Sequence, residues 1–328
     1  MGGWEKVFSK YDFVGNITNE RYEHATSGPD LIINKVLTYD HASRLEKIQY
    51  RVGDAGILET LATMEYNELG ELVAKYLHGD ATGYHQKIDF NYNIRGWLTN
   101  INDPGVVSLS GDYFGMKLRY NNPADMTDLE SLPQYNGNIS EIQWQNAQTN
   151  TLSAYGFKYD DINRLKTSHY GEETSYATNS GHWDEDLTYD LNGNIQTLAR
   201  TAAGTIVDNL TYSYAGNQLS AVTDASSYSG AENHFINGFT GTDYLYDDNG
   251  NMTQDLNKGI SSIAYNYLNL PQTITFNNGN SITYQYDANG TKLKKIVSES
   301  GQLDSTDYIG SVVYENNVRK FMHTEEGR

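Results

Sequence analysis

The sequence has 328 residues, no cysteine, and 42 acidic against 23 basic side chains, for a formal net charge of -19 at pH 7. The missing cysteines exclude a disulfide framework and a thiolate metal site, and the acidic balance disfavours direct contact with duplex DNA or RNA. No apolar run approaches the roughly 20 residues that a membrane-crossing helix needs, and the start Met1-Gly-Gly-Trp-Glu-Lys6 lacks the basic-then-apolar pattern of a signal peptide.

From Tyr11 onward one phrase recurs along the chain. It opens on a tyrosine, continues with turn residues such as Asn-Gly, and places an apolar residue six positions after the tyrosine and often another at nine. The lead tyrosines are Tyr11, Tyr39, Tyr66, Tyr92, Tyr159, Tyr189, Tyr212, Tyr246, Tyr265 and Tyr286. A shortened copy, Tyr135-Asn-Gly-Asn-Ile-Ser-Glu-Ile142, is expected inside the long gap between Tyr92 and Tyr159. Such repetition at 20 to 50 residues marks stacked modules that share a core only with their neighbours.

Each copy reads as strand, tight turn, strand. Upstream of the turn, Phe90 and Tyr92, Phe157 and Tyr159, Tyr244 and Tyr246, or Tyr284 and Tyr286 stand two apart and so share one strand face. Downstream, Leu45 and Ile48, Leu98 and Ile101, or Ile195 and Leu198 stand three apart. They cannot share a face of one unbroken strand, so either a bulge intervenes or the second residue faces outward. A helical reading of Met64 to His78 has Leu69, Leu72, Val73 and Tyr76 in its favour, but Gly70 sits at its centre, and Tyr66, Gly70 and Leu72 align with the repeat.

The copies run from Tyr11 to Ile296 without a linker, which predicts a single all-β domain over 1–328, elongated or curved, with off-pattern insertions near 103–133 and 168–186. A strand-like tail follows from Tyr308. Tyrosine outnumbers phenylalanine 27 to 9. A ring that carries a hydroxyl suits a broad sheet surface that is partly wet.

The chemical inventory is thin, and no catalytic, cofactor-binding or metal residue is predicted. None of the eight histidines, His24, His41, His78, His85, His169, His182, His234 and His323, lies in an HExxH-type signature. His78 and His85 flank Asp80 among loop glycines, and neither a Gly-x-Ser-x-Gly elbow nor a cysteine nucleophile exists. The runs Asp190 to Asn194 and Asp247 to Asn251 resemble calcium loops in composition, yet EF-hand spacing is not met, and a hairpin turn accounts for them. Asp103-Pro104-Gly105 reads as a turn. Lys292, Lys294 and Lys295 read as a solvated strand. Asn16, Asn138, Asn209 and Asn251 open formal N-glycosylation tripeptides that arise from the repeat itself.

The phrase Tyr-Asp-x-x-Gly-Asn-[Leu/Ile]-x-x-[Leu/Ile], intact from Tyr189 to Leu198, resembles the YD repeat of the RHS family of bacterial proteins. Asp112 to Asn121, Tyr265 to Pro271 and Asp307 to Gly310 through Glu325-Glu-Gly327 are similar to RHS proteins of Bacteroidetes in particular. The resemblance covers nearly the whole chain. It implies YD hairpins in a curved, spiralling sheet that forms part of a hollow shell, as in insecticidal toxin-complex components and the teneurins. In bacterial members the shell commonly encloses a C-terminal toxin, and the complete protein is secreted or displayed on the cell surface.

The expected role is therefore a non-catalytic wall segment whose partners are the rest of the shell and a C-terminal toxin passenger. The family's Asp-Pro-x-Gly self-cleavage site and the core before it are absent, and Asp103-Pro104-Gly105 lies too far upstream to carry that role. If acidic residues line the inner face, a basic passenger is favoured. The alternative is a cell-surface adhesion or glycan-binding module that stacks sugars on exposed tyrosines and on Trp4, Trp97, Trp144 and Trp183. Raw sheet edges predict edge-to-edge self-association or curling into a partial barrel.

Overall fold

In the computed structural model, residues 4–25, 30–124, 129–172, 181–230, 234–239 and 241–327 are described, and apart from one four-residue helix their regular secondary structure is antiparallel β-strand. The chain divides into two compact units, Met1–Phe157 with Gly171–Thr178 and Lys158–Tyr170 with Asn179–Arg328.

The first unit is built from successive hairpins: β1 (Trp4–Tyr11) with β2 (Ile17–Ala25), β3 (Leu31–Tyr39) with β4 (Leu45–Val52), β5 (Glu59–Tyr66) with β6 (Leu72–Leu77), and β7 (Gln86–Tyr92) with β8 (Leu98–Ile101). A four-residue helix, α1 (Val107–Ser110), precedes β9 (Phe114–Arg119), which pairs with β8 and with β10 (Glu141–Asn146). β10 pairs in turn with β11 (Ser153–Tyr159). The off-pattern stretch near 103–133 thus supplies a strand of the sheet rather than only an excursion from it.

The second unit holds β12 (Leu165–Glu172) as far as Tyr170, then β13 (Glu185–Tyr189), β14 (Ile195–Ala202), β15 (Thr205–Ala215) and β16 (Gln218–Asp224), each paired with the next. The stretch near 168–186 thereby contributes the end of β12 and the start of β13, while 173–180 lie outside the described residues. A nine-stranded sheet follows in chain order: β17 (Tyr244–Tyr246), β18 (Met252–Asp255), β19 (Ile260–Tyr265), β20 (Pro271–Phe276), β21 (Ser281–Tyr286), β22 (Lys292–Glu299), β23 (Gln302–Ile309), β24 (Val312–Glu315) and β25 (Val318–Met322).

The repeat fixes the register. Tyr39 stands opposite Leu45, Tyr66 opposite Leu72, Tyr92 opposite Leu98, Tyr189 opposite Ile195 and Tyr246 opposite Met252, each with a register shift immediately before the tyrosine. That shift is a bulge, and it settles the three-residue spacing. The extra residue in the second strand restores Ile48 to the face of Leu45, where both join Leu37, Ala62 and Met64 in one cluster with Tyr39, Tyr66 and Leu72. The helical reading of Met64 to His78 fails for the same reason, since Tyr66 and Leu72 face each other across a hairpin.

Because every repeat turn joins an odd-numbered strand to the next even-numbered one, the repeat turns of a sheet emerge along one edge. The other connections emerge along the opposite edge. There, side chains fill gaps in the backbone ladder. The Asn102 carboxamide accepts from the Asp89 N–H at 2.8 Å and donates to the Phe114 carbonyl at 2.8 Å. Asp184 accepts from the Tyr170 N–H at 2.8 Å, and Asp243 from the Val222 N–H at 2.7 Å. A buried N–H without a partner costs about 1–3 kcal/mol, so these buried polar residues hold the edge together.

Candidate functional site

The recurring element of this chain is the contact between one repeat and the next. The Tyr66 hydroxyl donates to the Leu45 carbonyl at 2.8 Å, Tyr92 to Leu72 at 2.9 Å, and Tyr120 to Leu98 at 2.8 Å. In the second unit Tyr189 donates to Leu165 at 2.7 Å, Tyr214 to Ile195 at 2.8 Å, Tyr246 to Leu219 at 2.9 Å, Tyr265 to Met252 at 2.7 Å and Tyr286 to Pro271 at 3.0 Å. The acceptor opens the strand that follows the preceding repeat's turn in every case but Leu219, which stands second in β16. Each ring is half-buried or buried, and its hydroxyl ties its own hairpin to the one before. Burial raises the phenol pKa at all eight positions above the ordinary 10.0, and at Tyr66 and Tyr189 it does so despite a nearby arginine.

The residue after the tyrosine builds the turn. One carboxylate oxygen of Asp40 accepts from the N–H groups of Ala42 and Arg44, and Asp160, Asp190, Asp247 and Asp287 repeat the pattern on the residues two and four positions later. Asn67, Asn93 and Asn266 do so with a carboxamide oxygen. The pattern is an Asx turn in which a short polar side chain substitutes for a missing backbone acceptor. It explains why Asp and Asn interchange here.

Five residues after the tyrosine, a second clamp reaches sideways. Arg44 grips Asp40 at 2.7 Å, lies over the Tyr66 ring at 4.7 Å and donates to the Asn67 carbonyl at 3.3 Å. Arg164 does the same with Asp160 at 2.6 Å, the Tyr189 ring at 4.5 Å and the Asp190 carbonyl at 3.0 Å. Where the position holds asparagine, Asn251 donates to Asp247 at 2.9 Å and to Asn269 of the next turn at 3.1 Å. The backbone N–H of Arg44 or Arg164, then the guanidinium, holds Asp40 and Asp160 below the ordinary carboxylate value. The Asn194 and Asn251 side-chain amides do the same for Asp190 and Asp247.

Six of the tyrosines singled out from the sequence, Tyr66, Tyr92, Tyr189, Tyr246, Tyr265 and Tyr286, make these inter-repeat bonds. Tyr11 lies exposed on β1, and Tyr39 packs beside Leu37 and Ile48. Tyr159 is half-buried, and burial raises its pKa. At the seventh predicted copy the ladder position belongs to Tyr214, whereas Tyr212 packs against Leu210 and Val222. The turn there is one residue shorter, with Tyr214 opposite Leu219, and the Asp is replaced by Ala215. Tyr135 is exposed, and the hydroxyl that the long gap supplies comes from Tyr120 at the end of β9. The dipeptide Tyr120-Asn121 was the available signal, masked because an insertion replaces its turn.

The other candidates serve local structure. Asp80 accepts from the Thr82 N–H at 3.0 Å in a tight turn, and His85 meets the Tyr113 hydroxyl at 3.2 Å. The Asp103 side chain accepts from the Gly105 N–H at 2.9 Å, as an Asp-Pro-Gly turn requires. It borders a polar cavity of about 740 Å³ that Lys87, Asp89, Asn91 and Asn100 also line. Lys294 pairs with Asp307 at 3.1 Å, and Lys292 lies over the Tyr284 ring at 4.7 Å. Among the described residues no group of three or more His, Asp or Glu could hold a metal ion, and no helix is long and apolar enough to cross a membrane.

No protein-family model matches the sequence, and no curated protein matches it. Solved TcdB2–TccC3 crystal structures do match its fold. The structure of TcdB2–TccC3 without its hypervariable C-terminal region aligns with a TM-score of 0.60 at 11% identity, over 94% of this chain and 16% of that one. TcdB2–TccC3–Cdc42 and TcdB2–TccC3 give TM-scores of 0.56 and 0.55 at 13% identity, over 94% and 93% of this chain and 17% of theirs. This chain spans about a sixth of the length of the chains it matches, and it shares their fold, as the resemblance of its repeat implies.

Proposed function

From that shared fold we propose that this chain is a non-catalytic wall segment of an RHS-type shell, and that the complete protein encloses or presents a C-terminal effector outside the cytosol of the cell that makes it. The observation that carries the reading is the run of tyrosine hydroxyls bonded from each hairpin to the one before. A residue whose ring is packed in the sheet and whose hydroxyl is bonded to backbone serves mechanical continuity, and little of it remains to recognise a ligand. The same bonds weaken the adhesion or glycan-binding alternative. That alternative needs free ring faces, whereas Trp97 packs tilted against Tyr120 with ring centroids 5.0 Å apart and Trp144 stacks on Tyr155 with centroids 5.7 Å apart.

The test uses the complete protein in which this segment occurs. Limited proteolysis of the intact protein should spare the C-terminal part that is cut rapidly once separated from the wall. Equal cleavage rates in the two settings would sink the enclosing role, and reproducible hits on a glycan array would revive the adhesion reading.

A further inference from the structure

On one face of the first unit, residues that stand directly opposite one another form two rows across β1 to β4. Phe8, Arg21, Asn34 and Arg51 make the first row, and Lys10 and Val36 flank Asn19 in the second. Together with Leu58, from the connection that follows β4, these side chains line a cavity of about 270 Å³. The cavity opens on a sheet face, so it does not depend on what pairs along the edge of β1.

The two arginines of the first row are not equally occupied. Arg21 donates from Nε to Glu23 at 2.6 Å, from one terminal nitrogen to the Asn34 side-chain oxygen at 3.3 Å, and from both terminal nitrogens to the Asp54 carboxylate. The Arg51 Nε–H is buried and has no acceptor among the described residues. A buried donor on a charged group is costly to leave unmatched, and such orphans are uncommon. Lys10, Arg21, Lys35 and Arg51 border the cavity against Glu20, while Glu23 and Asp54 answer Arg21 from its margin. Four cations against three carboxylates leave one positive charge unmatched, in a chain whose net charge is -19.

We infer that this cavity binds a small organic monocarboxylate whose carboxylate is carried on an apolar body. An arginine that meets a carboxylate side-on uses its Nε–H and one terminal N–H in parallel, and the Arg51 Nε–H is the donor left over here. Lys10 adds a second ammonium-type contact from β1. Phe8, Val36 and Leu58 supply apolar walls, and the body of the ligand covers the Phe8 and Leu58 side chains, which are otherwise exposed. Charge chooses between anions. One unmatched positive charge is neutralised by a monoanion, whereas a phosphate monoester would overshoot it. The inference rests on the face of β1 to β4 and holds with or without the wall reading.

Titration of the full chain with benzoate, followed by calorimetry and by nitrogen–proton NMR of the arginine side chains, tests this. Benzoate should move the Arg51 Nε–H signal saturably. Acetate, which lacks the body, and benzyl alcohol, which lacks the charge, should each bind about tenfold more weakly or worse. Arg51→Gln, checked for folding by circular dichroism, should weaken benzoate binding about tenfold, and Lys10→Gln about threefold. Lys166→Gln removes an exposed cation of the second unit and should change nothing. The NMR reading on the unmodified chain stands even if a variant fails to fold. The inference is overturned if benzoate leaves the Arg51 signal in place, or if acetate or benzyl alcohol binds as tightly. It is equally overturned if a folded Arg51→Gln variant loses no more affinity than Lys166→Gln.

Discussion

The Tyr246 hydroxyl donates to the Leu219 carbonyl at 2.9 Å across the point where β16 closes one sheet and β17 opens the next. No backbone ladder joins those two strands. Asp243 bridges the same point, its N–H reaching the Ser220 carbonyl at 2.8 Å and its carboxylate receiving the Val222 N–H, and Tyr244, Tyr246 and Met252 pack with Leu219 and Val222. The same tyrosine bond that elsewhere reinforces a ladder here replaces one.

That difference separates two otherwise equivalent substitutions. Tyr286→Phe removes one hydrogen bond beside an intact sheet and should cost about 1 kcal/mol. Tyr246→Phe removes the bond at the seam, where no backbone ladder stands beside it, and should in addition speed amide exchange at Val222 and Ser220. Urea denaturation of both variants with hydrogen exchange on each checks this. Equal exchange patterns would show that the seam does not depend on Tyr246.

The arginine clamp offers a second test. Arg44 touches the Asp40 carboxylate, the Tyr66 ring and the Asn67 carbonyl at once, and the planar fork that allows this is peculiar to arginine. Arg44→Lys keeps the charge but should still lose roughly 0.5–1 kcal/mol, a modest figure because the group is partly exposed. Retention of full stability by the lysine variant would show that charge alone suffices.

Turn geometry predicts a gain. The fourth residue after each lead tyrosine adopts a left-handed backbone, with φ of 92° at Gly193 and 60° at Ser43. A side chain in that region costs roughly 1–2 kcal/mol, although local hydrogen bonding softens it. Ser43→Gly should therefore raise the melting temperature, and Gly193→Ala should lower it. The two shifts having the same sign would contradict the strain argument.

The fold was legible because the repeat carries three independent constraints. These are a tyrosine whose hydroxyl needs an acceptor on the preceding repeat, an Asx residue that caps the turn, and a left-handed fourth position. The apolar residue at plus six and the one at plus nine share a face only through a bulge, which leaves no mark in the residue types themselves. Where one constraint lapsed, sequence reasoning slipped. Tyr214 lacks the Asp, so Tyr212 drew the attention, and Tyr120 lost its turn to an insertion. The buried Asp184 and Asp243 were invisible as ladder substitutes, because their role depends on which N–H groups the irregular connections leave unpaired.

Both ends of the pH scale should weaken the chain, for opposite reasons. The ladder phenols have folded-state pKa values raised by burial above the ordinary 10.0. Above pH 10 the unfolded chain releases protons that the folded chain retains, so stability is full below that value and falls as pH climbs toward the folded-state values. The turn carboxylates Asp40, Asp160, Asp190 and Asp247 lie below the ordinary 3.8. Their contribution is present above that value and is lost as pH falls through the folded-state values. Denaturation midpoints measured from pH 2 to 12 should form a plateau with two shoulders. The alkaline shoulder should shrink in Tyr92→Phe, whose hydroxyl can no longer ionise, and the acid shoulder in Asp190→Asn. If the alkaline slope is unchanged in Tyr92→Phe, the phenol contributes no proton linkage, and its bond to Leu72 is not what holds the two repeats together.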